Sequence, residues 1–115
     1  MKVSTKINSE HYNWGEGCDG WHLVKSPQLS VIQERVPVGL CEVTHYHEKA
    51  EQFFFVLSGV ATLIVEGKAH SLNPTEGFHV KANTTHQLKN DGDQELVFIV
   101  TSTPPSHGDR VEARA

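Results

Sequence analysis

Residues 45–52 read HYHEKAEQ: two histidines separated by one tyrosine, a polar interruption, then Glu51 and Gln52 in succession. Side chains on a β-strand alternate between faces, so a strand through this stretch sends His45 and His47 to one side and Tyr46 to the other. If that strand ran on unbroken, Glu51 would join the histidines. Residues 48–50, EKA, interrupt it, and parity restarts in the run that follows, QFFFVL at 52–57. There Gln52, Phe54 and Val56 share one face, and Glu51, Phe53, Phe55 and Leu57 the other. Spacing alone admits either Glu51 or Gln52 as the oxygen that meets the imidazoles.

The rest of the chain has the same grain. Short apolar or β-branched runs stand at 29–36, 52–57, 60–66, 78–81, 86–89 and 95–102, separated by PVG, SG, EG, NPTEG, KANTT and NDGD. Runs of this length, punctuated about every ten residues, predict an all-β sandwich or barrel. No long window carries a 3.6-residue apolar period, and the neighbouring glycines and β-branched residues make QFFFVL a strand rather than a buried helix. Continuous runs such as FFFVL and LVFIV imply strands covered on both faces, and from this the expectation is a homodimer. With no repeat, linker or low-complexity segment, residues 1–115 read as a single domain.

Composition narrows the function. The chain has 115 residues, 14 acidic and 10 basic side chains, and a formal charge of −4, without long runs of either sign. No basic field is available to collect nucleic acid or an anionic membrane surface. No apolar run approaches the ~18 residues of a membrane span, and MKVSTKINSE lacks the apolar centre of a signal peptide. The expected location is the cytoplasm. Cys18 and Cys41 form no CxxC pair and read as free thiols.

Gly39, His45, His47, Gln52 and Gly59 resemble the first motif of the cupin superfamily, a glycine, His-x-His, a glutamate and a closing glycine at fixed intervals. The register counted back from Gly59 places Gln52 where the family has its glutamate. NPTEGFHVKANTTHQLKN (73–90) resembles the second motif when aligned on His86 and Asn90. Thr75 and Asn83 then stand at two family glycines, and Lys81 at the family proline. The motif core spans residues 39–90.

That resemblance implies a small double-stranded β-helix, the jelly-roll cupin barrel, with a divalent metal held by His45, His47, Gln52 and His86. Zn, Ni, Fe, Mn, Co and Cu all suit imidazole with one oxygen ligand. Positions left open for water or a small-molecule ligand mark a catalytic rather than a closed structural centre. Four neutral ligands leave the full 2+ charge in place, which favours anionic or chelating oxygen ligands. Small cupins with glutamine at this position are similar to enzymes that open cyclic unsaturated uronates. The resemblance therefore implies isomerisation, epimerisation or ring opening of a sugar-derived or other oxygen-rich anion. A dioxygenase of a chelating substrate and a non-catalytic ligand-binding cupin are the alternatives.

Flanking residues complete the expectations. NWGEGCDGWHLV (13–24) reads as a glycine-rich loop carrying Trp14 and Trp21, packed on the barrel or a dimer partner, or else a lid over a sugar-like ligand. Arg35 shares a strand face with Gln33 and reads as an exposed charge, with a place in the barrel mouth as the alternative. His79 is a further pocket candidate. The tail PPSHGDR reads as solvated surface, with His107 and Arg110 reaching a substrate only if it folds over the pocket.

Overall fold

The computed structural model describes residues 2–113, and among these no helix occurs, so none is long and apolar enough to cross a membrane. The chain forms eleven strands: β1 (Glu10–Trp14), β2 (Cys18–Lys25), β3 (Ser30–Val36), β4 (His45–His47), β5 (Glu51–Ser58), β6 (Ala61–Val65), β7 (Lys68–Leu72), β8 (Gly77–Val80), β9 (His86–Lys89), β10 (Leu96–Thr103) and β11 (Arg110–Glu112). A six-stranded sheet runs β1-β2-β3-β10-β5-β8 and a five-stranded sheet runs β11-β4-β9-β6-β7, with all pairings antiparallel. The architecture is the jelly roll expected from the motifs.

Alternation builds the space between the sheets. On β10 Leu96, Phe98, Val100 and Ser102 are buried, and on β5 so are Gln52, Phe54 and Val56. Leu63 and Leu88 close the core from the other sheet. Leucine, valine and phenylalanine fill the closed end, whereas Gln52, Ser102 and the histidines take the same inward rows at the other. The outward residues of β5 are less covered: Phe53 is 44% exposed and Leu57 41%.

Two expectations are corrected here. Residues 13–24 are not a loop: β1 and β2 pair as a hairpin in which Tyr12 faces Gly20 and Trp14 faces Cys18. Gly20 is a strand residue whose missing side chain makes room for the Tyr12 ring, since a Cβ there would lie 2.5 Å from the Tyr12 hydroxyl. The tail is not merely solvated surface either, because β11 pairs with β4 and places Arg110 beside His47 and Glu112 beside His45. Thr75 and Asn83, which stand at family glycines, both adopt left-handed backbone, with φ of 69° and 62°. Cys18 is buried, Cys41 is exposed, and both are free.

Gly59 closes the β5–β6 turn at φ 77°, and a Cβ on it would lie 2.5 Å from the backbone oxygen of Glu95. Left-handed strain and a clash with backbone that cannot swing aside act together. Gly59→Ala is expected to cost about 2–4 kcal/mol, read as a lower urea midpoint with an unchanged denaturant slope.

Candidate metal centre

His45 and His86 are cross-strand neighbours on β4 and β9, and His47 stands one inward position further along β4. All three are buried, and each offers a ring nitrogen within 4.8 Å of those of the other two. Gln52 reaches the same point from β5 in the opposite sheet. Its amide nitrogen donates to Ser102 Oγ at 3.0 Å, and Ser102 Oγ donates onward to Ser106 Oγ at 3.5 Å. This fixes the amide so that Oε1 faces the imidazoles, 3.2 Å from His86 Nε2.

The outer nitrogens decide the tautomers. His45 Nδ1 donates to the Val43 carbonyl at 2.6 Å and His86 Nδ1 to the Thr84 carbonyl at 2.8 Å, leaving Nε2 of both rings as a lone pair. Nε2 of His86 and Oε1 of Gln52 are then two acceptors facing one another, and His47 Nδ1 is buried without a partner. A divalent cation held between them would resolve the first conflict, because both atoms would present a lone pair to it. The donor set present fits a divalent ion.

Burial keeps these rings neutral. It pushes His45 down to about 3 and His47 to about 4, and lowers His86. Between the imidazoles and the outside lies a cavity of about 350 Å³. Its walls carry Tyr12, Trp14, Glu34, Glu42, His107 and Arg110 beside the apolar Ile32, Phe54 and Val100. Burial raises Glu34 to about 7, against the opposing hydrogen bond from the Tyr12 hydroxyl at 2.9 Å. Glu42, which accepts from the Leu88 N–H at 2.9 Å, is raised to about 8 by burial and then by the charge of Glu34.

The sequence candidates divide cleanly. His45, His47, Gln52 and His86 come together, whereas Glu51 points outward and its Oε1 lies 2.7 Å from His79 Nε2. His79 is therefore outside the cavity. Arg35 is on the outer face as well, bound to Asp19 at 2.7 Å and Glu95 at 2.6 Å. Trp14 is a cavity wall, while Trp21 lies under the Lys6 ammonium. The tail brings in His107 and Arg110, anchored because Asp109 Oδ2 accepts the backbone N–H groups of Lys49 and Ala50 at 2.9 and 2.8 Å. Glu34 and Glu42 were missed by the sequence reading. Parity could have found Glu34, which shares the inward row of β3 with Ser30, Ile32 and Val36.

These shifts set a pH dependence for the metal-free protein. Histidines depressed on folding bind fewer protons than the unfolded chain, so stability falls as pH drops below about 6.5. Glu34 and Glu42, raised on folding, contribute stability that is lost as pH rises from about 4.5 through 7 and 8. The two effects oppose between about 4.5 and 6.5. Thermal unfolding of metal-free protein is expected to show a plateau there, with Tm declining on both sides.

Comparison with known proteins bears on the family and the fold. The family model described as a cupin domain matches residues 33–102. Quercetin 2,3-dioxygenase of Bacillus subtilis is 38% identical over 64 residues, 56% of this chain, which spans only 19% of that enzyme's length. KdgF from Halomonas sp. superposes with a TM-score of 0.84 at 18% identity, covering 93% of this chain and 98% of that one. Pac13, a nucleoside dehydratase, gives 0.79 at 20% identity over 99% and 92%, and a Streptomyces form of it is known with uridine. At such identities the structural likenesses show the fold alone.

Proposed function

The chain belongs to the cupin family, and on that premise we propose that His45, His47, His86 and Gln52 hold a divalent metal ion at the base of a cavity that binds an oxygen-rich small molecule. The observation that carries this reading is the convergence of two backbone-anchored imidazoles, a third buried imidazole and an oriented amide oxygen beneath an open cavity. When bound, the ion supplies Lewis acidity toward a carbonyl or hydroxyl oxygen of the ligand. The favoured chemistry is isomerisation, epimerisation or ring opening of a sugar-derived or related anion.

The chain's own residues support that substrate class. Arg110 lines the cavity and has no ion-pair partner among the described residues, so its guanidinium is available to a carboxylate or phosphate oxygen. Trp14 offers an aromatic wall to the apolar face of a sugar ring. The Asp109 anchor and the β11–β4 pairing hold Arg110 against β4 at the cavity.

A dioxygenase is the second reading, favoured by the Bacillus subtilis relative. Elemental analysis of protein purified without added metal, followed by a screen of sugar acids without oxygen and of enediols with it, separates the two. Anaerobic conversion of a sugar acid supports the isomerase reading; oxygen consumption without such conversion overturns it in favour of the dioxygenase. The exposed Phe53 and Leu57 belong to the face on which the expected homodimer would form, and sedimentation of the protein as a monomer would rule the dimer out.

A further inference from the structure

Three adjacent strands place Tyr12, Gly20 and Glu34 in one row: Tyr12 pairs with Gly20 on β2, and Gly20 pairs with Glu34 on β3. Because Gly20 has no side chain, the Tyr12 ring lies across β2 and its hydroxyl donates to Glu34 Oε2 at 2.9 Å. Core packing alone would put an apolar residue at 34, between Ile32 and Val36. The row instead keeps a carboxyl on the inward face and gives it a fixed donor. Glu42 meets the same cavity from the segment before β4, with Oε1 fixed by the Leu88 N–H.

Resting on the function proposed above, we infer that Glu34 and Glu42 are the proton-handling pair of this cavity, acting on an α-hydroxy carbonyl compound with Glu34 as the base toward carbon and Glu42 as the acid toward oxygen. The roles follow from the partners. The Tyr12 hydroxyl donates to Glu34 Oε2 and so favours its ionised form, whereas Glu42, fixed only by the Leu88 N–H, is raised first by burial and then by the charge of Glu34 and keeps its own proton. Arg110 from β11 pulls both toward ionisation. Tyr12 from β1, His45 and His47 from β4, and His107 from the tail are the other titratable groups on the cavity.

The step balances without any further reactant. Glu34 carboxylate takes the proton from the carbon beside the carbonyl, and the pair from that C–H bond becomes the C=C bond of an enediol. The carbonyl π pair moves onto oxygen, which takes the proton of Glu42. Reversal at the neighbouring carbon returns a proton from the hydroxyl oxygen to Glu42 and delivers the Glu34 proton to carbon. The carbonyl has then moved by one position and the pair is restored.

The test uses metal-loaded protein in deuterated water with glyceraldehyde, fructose and glucuronate as probes. Deuterium uptake beside the carbonyl is followed by mass spectrometry, and metal content is measured for every variant. Glu34→Gln is expected to lower exchange by about 10²–10⁴-fold with metal content unchanged. In parallel, isotope-edited NMR of the glutamate carboxyl carbons follows metal-free wild type, Glu34→Gln and Tyr12→Phe. The Glu42 midpoint is expected to fall when Glu34 is neutralised, and the Glu34 midpoint to rise when its donor is removed. Exchange that survives Glu34→Gln, absence of exchange from all three probes by loaded wild type, or both carboxyls titrating in the ordinary glutamate range overturns the inference. Wild type that binds no metal overturns the proposed function instead, and the carboxyl titration still decides the pair.

Discussion

His86→Ala is expected to lower affinity for zinc or nickel by well over about 100-fold, more than the 10–100-fold that loss of a supporting partner around a metal costs. The substitution removes a lone pair already aimed by the Thr84 carbonyl and opens a hole beside Gln52, whose oxygen faces that nitrogen. Gln52→Ala should weaken binding less, because a neutral amide oxygen is the weakest donor of the four and water can replace it. Glu51→Ala should leave the metal content unchanged, since that carboxylate is spent outside on His79. Gln52→Glu is the opposite test: an added negative charge should tighten metal binding. Competition with a chromogenic chelator measures all four, and a Glu51 variant that loses its metal while Gln52→Ala keeps it would overturn the ligand set.

What was legible in the chain follows from the locality of strand geometry. Parity needs only neighbouring residues, so the inward pairing of His45 with His47 and the burial of Phe54 and Val56 could be read directly. Gln52 required more, because the break at 48–50 resets parity and only the closing Gly59 fixes the register. The hairpin over 10–25 was hidden by composition: its glycines resemble a loop, yet Gly20 serves a ring from the adjacent strand, which is a contact across strands. The tail was misread for the same reason. PPSHGDR carries no apolar pattern, and what holds it is the Asp109 carboxylate capping backbone amides about sixty residues away in sequence together with the pairing of β11 on β4. Glu34 lay within reach of the parity argument, since it alternates with Ile32 and Val36 on the inward row of β3 while Arg35 faces out. Glu42 lies outside any named strand, so no parity could place it.

Phe98→Ala is expected to cost about 3–5 kcal/mol, the range for deleting a buried aromatic ring, which for a chain of this size corresponds to roughly 12–20 °C in Tm. Phe98 is 1% exposed at the centre of β10, with Glu34 and Val56 as its cross-strand neighbours. Its ring centroid lies 5.9 Å from that of Phe54, and Phe54 in turn lies 5.8 Å from His86. The core is thus a stack that ends on His86, one of the proposed ligands, and a hole at its base lets Phe54 sink and His86 lose its backing. The variant should therefore bind metal more weakly even where it is folded, an effect that a purely global loss of stability would not give. Phe53→Ala, one residue before Phe54 on β5 but facing out, supplies the control. An exposed phenylalanine should cost no more than about 0.5 kcal/mol. A larger loss that grows with protein concentration would mean that the Phe53 face is covered in solution by a second copy of the chain.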